Sequence, residues 1–139
     1  MDPLYASADR EGAHWSAEGV TTAKGFKAAY RQYIEGGWTQ LRAAPAFGGQ
    51  GMPALLVSAV EEIFASANLA FRMCPMLTQG ATEAIAHAGS QAQKDLYLPR
   101  MVRGEWAGYL FCGHGAWSSW LLRFHHMYIF PWGSRTGLA

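Results

Sequence analysis

The sequence predicts an all-α bundle, and three observations carry that expectation. Apolar residues recur three and four positions apart in separate stretches, which puts them on one face of a helix. Glycines, a proline and capping residues mark the ends of those stretches. No run of residues alternates clearly enough between apolar and polar to read as a strand. Four helical segments joined by short turns, each burying one face against the others, is the architecture that follows.

The first helix is expected over residues 22–35, with Thr22 as its cap. Phe26, Tyr30, Tyr33 and Ile34 fall on one face, with Lys24, Lys27 and Arg31 outside it. Gly36-Gly37 should stop the helix, because glycine readily takes the left-handed conformation of a C-terminal cap. Residues 38–52 end in Pro45-Ala-Phe-Gly-Gly-Gln-Gly51, a composition that makes a compact turn. A phosphate-binding P-loop would continue with Gly-Lys-Ser/Thr, whereas Gln50-Gly51-Met52 stands here, so a tight interhelical turn is expected.

Pro53 suits the first position of a second helix, where its missing N–H is not needed. Leu55, Leu56, Ala59, Val60, Ile63 and Phe64 form a broad stripe expected to face the core. Glu61 and Glu62 are neighbours, so they splay about 100° apart and make a poor carboxylate pair for acid–base chemistry. Asn68 can cap a third helical stretch, residues 69–88, interrupted by Pro75 and Gly80. A kink at Pro75 is expected, because proline removes one backbone hydrogen bond. Around it, Met73, Met76, Leu77, Thr78, Gln79 and Gly80 read in either of two ways. They form an apolar wall with polar handles, as a ligand pocket requires, or they are plain core with methionine as gap filler. His87 complements the dipole at the end of this helix. Gly89 ends it, and Ser90-Gln-Ala-Gln93 is a capping box that opens a fourth helix. Leu96, Tyr97, Met101 and Val102 carry its apolar content toward Gly104.

Composition narrows the function. Half of the 139 residues are apolar and 15% are charged, a balance for one packed domain. A formal net charge of +1 gives no electrostatic case for nucleic acid or an anionic membrane. Cys74 and Cys112 lack the spacing of a zinc site or a disulfide framework, and read as packed thiols. Residues 1–21 are polar and read as an irregular surface arm. The N-terminus has neither a basic nor an apolar signal segment, so cytoplasm or an organellar matrix is expected and secretion is not.

Three stretches resemble one family. Gly37-Trp-Thr-Gln-Leu41 with Pro45-Ala-Phe-Gly-Gly-Gln-Gly51 is similar to an interhelical turn of acyl-CoA dehydrogenases. Val60-Glu-Glu-Ile-Phe-Ala-Ser-Ala-Asn68 resembles the helix that follows it. Gly89-Ser-Gln-Ala-Gln-Lys-Asp-Leu-Tyr-Leu-Pro-Arg-Met-Val-Arg-Gly-Glu105 resembles the family's Gly-x-x-x-Gln-Lys-x-x-Tyr-Leu-Pro pattern. Thr22-Ala-Lys-Gly-Phe-Lys-Ala-Ala-Tyr30, Glu35-Gly-Gly-Trp38 and Pro75-Met-Leu-Thr-Gln-Gly80 are similar to the 3-methylmercaptopropionyl-CoA dehydrogenase-like branch.

The resemblance implies a domain organisation: residues 22–106 as the N-terminal helical domain of this fold, incomplete, and residues 107–139 as a non-family aromatic tail. It implies a flavoenzyme in which FAD takes a hydride from the β-carbon of an acyl-CoA while a glutamate removes the α-proton. That glutamate comes from a C-terminal bundle, and no residue here matches it. The Thr-Glu-Pro segment that meets the flavin is also missing, so no catalytic, cofactor or metal residue is assigned. FAD is not expected to be retained, and assembly into the family's homo-oligomers is not assured. The part expected of this domain is the wall of the acyl pocket, from Met73 to Gly80. The alternative is a non-enzymatic helical module that binds a larger flavoprotein subunit.

The tail is expected to be foreign to the family, from a shifted reading frame, a misjoined gene or an alternative end. Residues 107–122 carry no formal charge but fall short of the ~20 apolar residues that span a bilayer. His114, His125 and His126 lack the cysteine or carboxylate partners of a metal site.

Overall fold

The computed structural model of the protein describes residues 2–111 and 126–131. The expectations for Cys112, His114, His125 and the tryptophans of the tail lie outside them. Five helices form the body: α1 (Asp2–Glu11), α2 (Phe26–Glu35), α3 (Ala54–Ala67), α4 (Leu69–Ala88) and α5 (Gln91–Val102). Two antiparallel hairpins accompany them, β1 (His14–Ser16) with β2 (Gly19–Thr21), and β3 (Trp106–Phe111) with β4 (His126–Pro131).

The helical bundle is as the sequence predicts, and several ends are held by the residues named for them. Asn68 accepts a hydrogen bond from the Phe71 N–H at 3.0 Å and starts α4. At α5, Ser90 accepts from the Gln93 N–H while Gln93 Oε1 accepts from the Ser90 N–H, which closes the capping box. Gly37 is left-handed after α2. The expected turn is present too, as two short 3₁₀ segments, Trp38–Gln40 and Pro45–Phe47. Every N–H from Phe47 to Met52 is bonded to a carbonyl of residues 40–45. None is left over for a phosphate, so the glycines here close a turn and do not cradle an anion.

Several expectations need correction. The expected irregular arm is not irregular where it is described: residues 2–21 contain α1 and the β1–β2 hairpin. The sequence signal of α1 is faint because Leu4 is the apolar residue it sends to the core, packed against the cluster of Ala29, Tyr30, Tyr33 and Phe71. Second, α2 begins at Phe26 and not at Thr22. Gly25 precedes it with φ +88, a conformation outside the helix, and a Cβ there would lie 2.6 Å from Leu4 Cδ2. The left-handed Gly25 marks where α2 starts, with Leu4 of α1 close against it. Third, α3 does not bury the broad stripe expected of it. Val57 is buried and Val60 and Phe64 are partly buried, whereas Leu55 is 85% exposed and Ile63 68%. Leu56 and Ala59 are exposed as well, because no element among the described residues covers that side. Fourth, the chain does contain strands, one of which begins at Trp106. Pro53 stands one residue outside α3, as its N-cap.

The core has two centres, and α4 contributes to both. Phe71 packs with Ala29, Tyr30 and Tyr33 of α2. Near the other end, Ala81 and Ile85 pack with Leu98 and Met101 of α5, joined by Phe47, Trp106 and Ile129. The kink expected at Pro75 does not end the helix: α4 runs through Pro75 and Gly80, with Pro75 buried. Packing at both ends holds a helix that loses one internal hydrogen bond.

Gly104 makes the close turn from α5 into β3. It is buried with φ +76, and a Cβ would meet Ile34 Cγ1 at 2.7 Å. Gly104→Ala should therefore lower unfolding stability by about 2–3 kcal/mol, from left-handed strain plus overpacking. A urea melt of both proteins checks this.

Candidate functional site

Helix α4 has two unlike faces. Phe71, Arg72, Pro75, Thr78, Ala81 and Ile85 are buried, a spacing that keeps one side of the helix turned inward. Leu69, Met73, Met76, Leu77 and Gly80 occupy the other side and are exposed. Met73 is 49% exposed, Met76 43% and Leu77 44%. A Cβ added to Gly80 would meet nothing within 4 Å.

The six residues expected to act together thus divide between the two faces. Met73, Met76, Leu77 and Gly80 form an open apolar strip on the outer face. Thr78 and Gln79 turn inward. Gln79 Oε1 accepts from Arg72 Nη2 at 3.1 Å, and Arg72 Nη2 also pairs with Glu61 at 2.9 Å. That ion pair ties α3 to α4 with the Arg72 side chain only 5% exposed. Burial of this kind makes loss of one partner costly. Sequence reasoning missed Arg72 because its partner lies on another helix.

Thr78 has a structural duty that the sequence did not disclose. Its hydroxyl donates to the Cys74 carbonyl at 3.2 Å and accepts from the Gly108 N–H at 3.3 Å. Gly108 stands opposite Ile129 in the β3–β4 ladder, and it turns this N–H toward α4. Among the described residues no third strand pairs on that side, so the hydroxyl satisfies a buried donor. Trp106 steadies the start of β3: its ring lies 4.7 Å below the Arg100 guanidinium and 6.1 Å from Tyr97.

Behind the inner face of α4 lies a cavity of about 210 Å3. Tyr33 of α2, Trp38 and Phe47 of the turn, Val60 and Phe64 of α3, and Leu98 of α5 contribute to its wall. At its edge Arg42 pairs with Glu83 at 2.7 Å. Among the described residues no group of His, Cys, Asp and Glu could hold a metal ion. None of their helices is long and apolar enough to cross a membrane.

The model for the acyl-CoA dehydrogenase N-terminal domain matches residues 5–105. The chain belongs to the acyl-CoA dehydrogenase family. It is 40% identical over 106 residues to a 3-methylmercaptopropionyl-CoA dehydrogenase of Ruegeria pomeroyi, which agrees with the branch the sequence resembles. Two butyryl-CoA dehydrogenases of Syntrophomonas wolfei are 30% identical over 113 residues and 33% over 87. The alignments cover 76%, 76% and 60% of this chain but 18%, 18% and 13% of those relatives. The acyl-CoA dehydrogenase segment described here therefore spans under a fifth of their length.

The cavity behind α4 and the glycine turn do not fit FAD. The cavity of about 210 Å3 is smaller than the ~300–1,000 Å3 typical of ligand pockets, and a flavin dinucleotide is a large ligand. The amides of the glycine turn are spent within it. Of the glutamates, Glu61 is engaged by Arg72, Glu83 by Arg42 and Glu105 by Arg103. The hydrogen bond from Arg103 holds the Glu105 carboxyl below the usual range.

Two predictions follow from this wiring. Thr78→Val should leave the Gly108 N–H buried without an acceptor and cost about 1–3 kcal/mol, whereas Thr78→Ser should cost less than half of that. Urea melts and the exchange rate of the Gly108 amide read both effects. The second concerns alkali. Burial pushes the Cys74 thiol up to about 11 from 9.0, and raises the Tyr30 and Tyr33 hydroxyls in the same direction. In each case the folded state holds the proton more tightly than the unfolded chain. The stability from Cys74 is present in full below pH 9.0 and is lost as pH rises through about 11. The urea midpoint should fall over that window, and Cys74→Ala should flatten part of the fall.

Proposed function

We propose that this chain is the helical, pocket-wall portion of an FAD-dependent acyl-CoA dehydrogenase, and that it does not oxidise acyl-CoA by itself. The observation that carries the reading is the open strip of Met73, Met76, Leu77 and Gly80 on α4, within the family-matched domain. Thioether and aliphatic groups beside a glycine suit the path of an acyl chain, because they are apolar, adaptable in shape and leave room for it. Thr78 and Gln79, which hold the helix from behind, are not part of the strip.

In the intact enzyme a bound FAD would supply the redox chemistry and a carboxylate the proton abstraction. This chain's share is to exclude water from the chain-binding side and to fix acyl length. Supporting the second half of the proposal, Glu61, Glu83 and Glu105 are held in ion pairs and the amides of the glycine turn are spent within it.

Purified chain should show no flavin absorbance and reduce no dye on addition of butyryl-CoA. Bound flavin with substrate-dependent dye reduction would overturn the claim of inactivity. In a full-length dehydrogenase carrying this segment, Met76→Trp should cut kcat/KM for a long acyl thioester by roughly tenfold or more and leave a short one within about twofold. An equal loss for both would count against the pocket-wall role.

A second reading rests on the uncovered side of α3, where Leu55, Leu56 and Ile63 are exposed. Such a surface suits a helical module that docks on a larger flavoprotein subunit. Co-purification with a flavoprotein that Ile63→Lys abolishes would favour it.

A further inference from the structure

We propose that the cavity behind α4 is a binding site for a small, neutral aromatic molecule, separate from the outer strip assigned to the acyl chain. Its volume of about 210 Å3 exceeds that of a ~150 Å3 apolar protein cavity known to stay dry and admit benzene. Size therefore permits a single ring with a small substituent.

The wall specifies the chemistry. Tyr33, Trp38 and Phe64 already meet edge to face, with centroids 5.1 Å apart for Tyr33–Phe64 and 5.3 Å for Trp38–Phe64. A further ring extends that arrangement at favourable geometry. The polar groups around it are committed elsewhere. The Thr82 hydroxyl donates to the Thr78 carbonyl at 2.8 Å and the Thr78 hydroxyl to Cys74. Gln79 accepts from Arg72, Glu61 pairs with Arg72, and Glu83 pairs with Arg42. Thr39 Oγ1, also in the wall, is buried without a partner but is neutral, so it offers an ionic guest no counter-charge. An ionic guest would enter without a free counter-charge and lose its hydration. A neutral ring loses little and gains dispersion contacts.

The test uses the whole chain with benzene, indole and benzoate as probes. Benzene or indole at about ten times its Kd should raise the melting temperature by about 3–6 °C, and benzoate should not. Val60→Phe, which fills the space, should abolish the response to benzene while the protein stays folded. Independently of that variant, filtered NOE spectra should connect benzene protons to the methyls of Val57, Val60 and Leu98. No shift with either neutral probe, a shift with benzoate of equal size, an undiminished shift in folded Val60→Phe, or absence of those NOEs would each overturn the proposal.

Discussion

The aromatic contacts of Phe71 hold the first half of the domain together. From its place on α4 this ring meets Phe26, Tyr30 and Tyr33 of α2 at 6.0, 6.3 and 5.7 Å. Tyr33 in turn meets Phe64 of α3, which meets Trp38 of the turn. One continuous chain of rings thus fixes α2, α3 and the turn against a single helix. Each pair adds roughly 0.5–1.5 kcal/mol beyond area burial. More important is the orientation, because it decides which side of α4 faces inward and which is left open.

That orientation links packing to the proposed acyl-wall role. The buried side of α4 carries the Arg72–Glu61 pair and the Thr78 hydroxyl, so it is fixed to α3 in one direction and to β3 in the other. With the inner side anchored at several points, the methionine strip outside is displayed on a helix that is not free to turn. A binding wall on a rigid element is more definite than one on a loop.

Much of this was legible in the sequence, and the parts that were not share a cause. Asn68 and Ser90 announce helix starts because capping is local chemistry, complete within four residues. The face of Tyr30 and Tyr33 was readable from spacing alone. By contrast, Leu55 and Ile63 look like core by periodicity, yet periodicity does not say whether a neighbour will cover a given side. Thr78 and Gln79 sit beside Met76 and Leu77 in sequence, but a helix turns successive residues about 100° apart, which splits them between faces. The bond from Gly108 to Thr78 spans thirty positions, and no local pattern encodes it. Helix α1 and its hairpin escaped because one leucine is too faint a signal.

The turn between α2 and α3 has a consequence for how this segment can vary. Its amides from Phe47 to Met52 all return to carbonyls just upstream, and a Cβ on Gly49 would collide with the Ala43 carbonyl oxygen. An inserted or deleted residue would put that entire set of bonds out of step at once. The loop therefore acts as a spacer of fixed length: substitutions at its exposed side chains are tolerable, but a change in residue count is not. Unlike most surface connections, which absorb insertions readily, this one sets the distance between two helices as a ruler would.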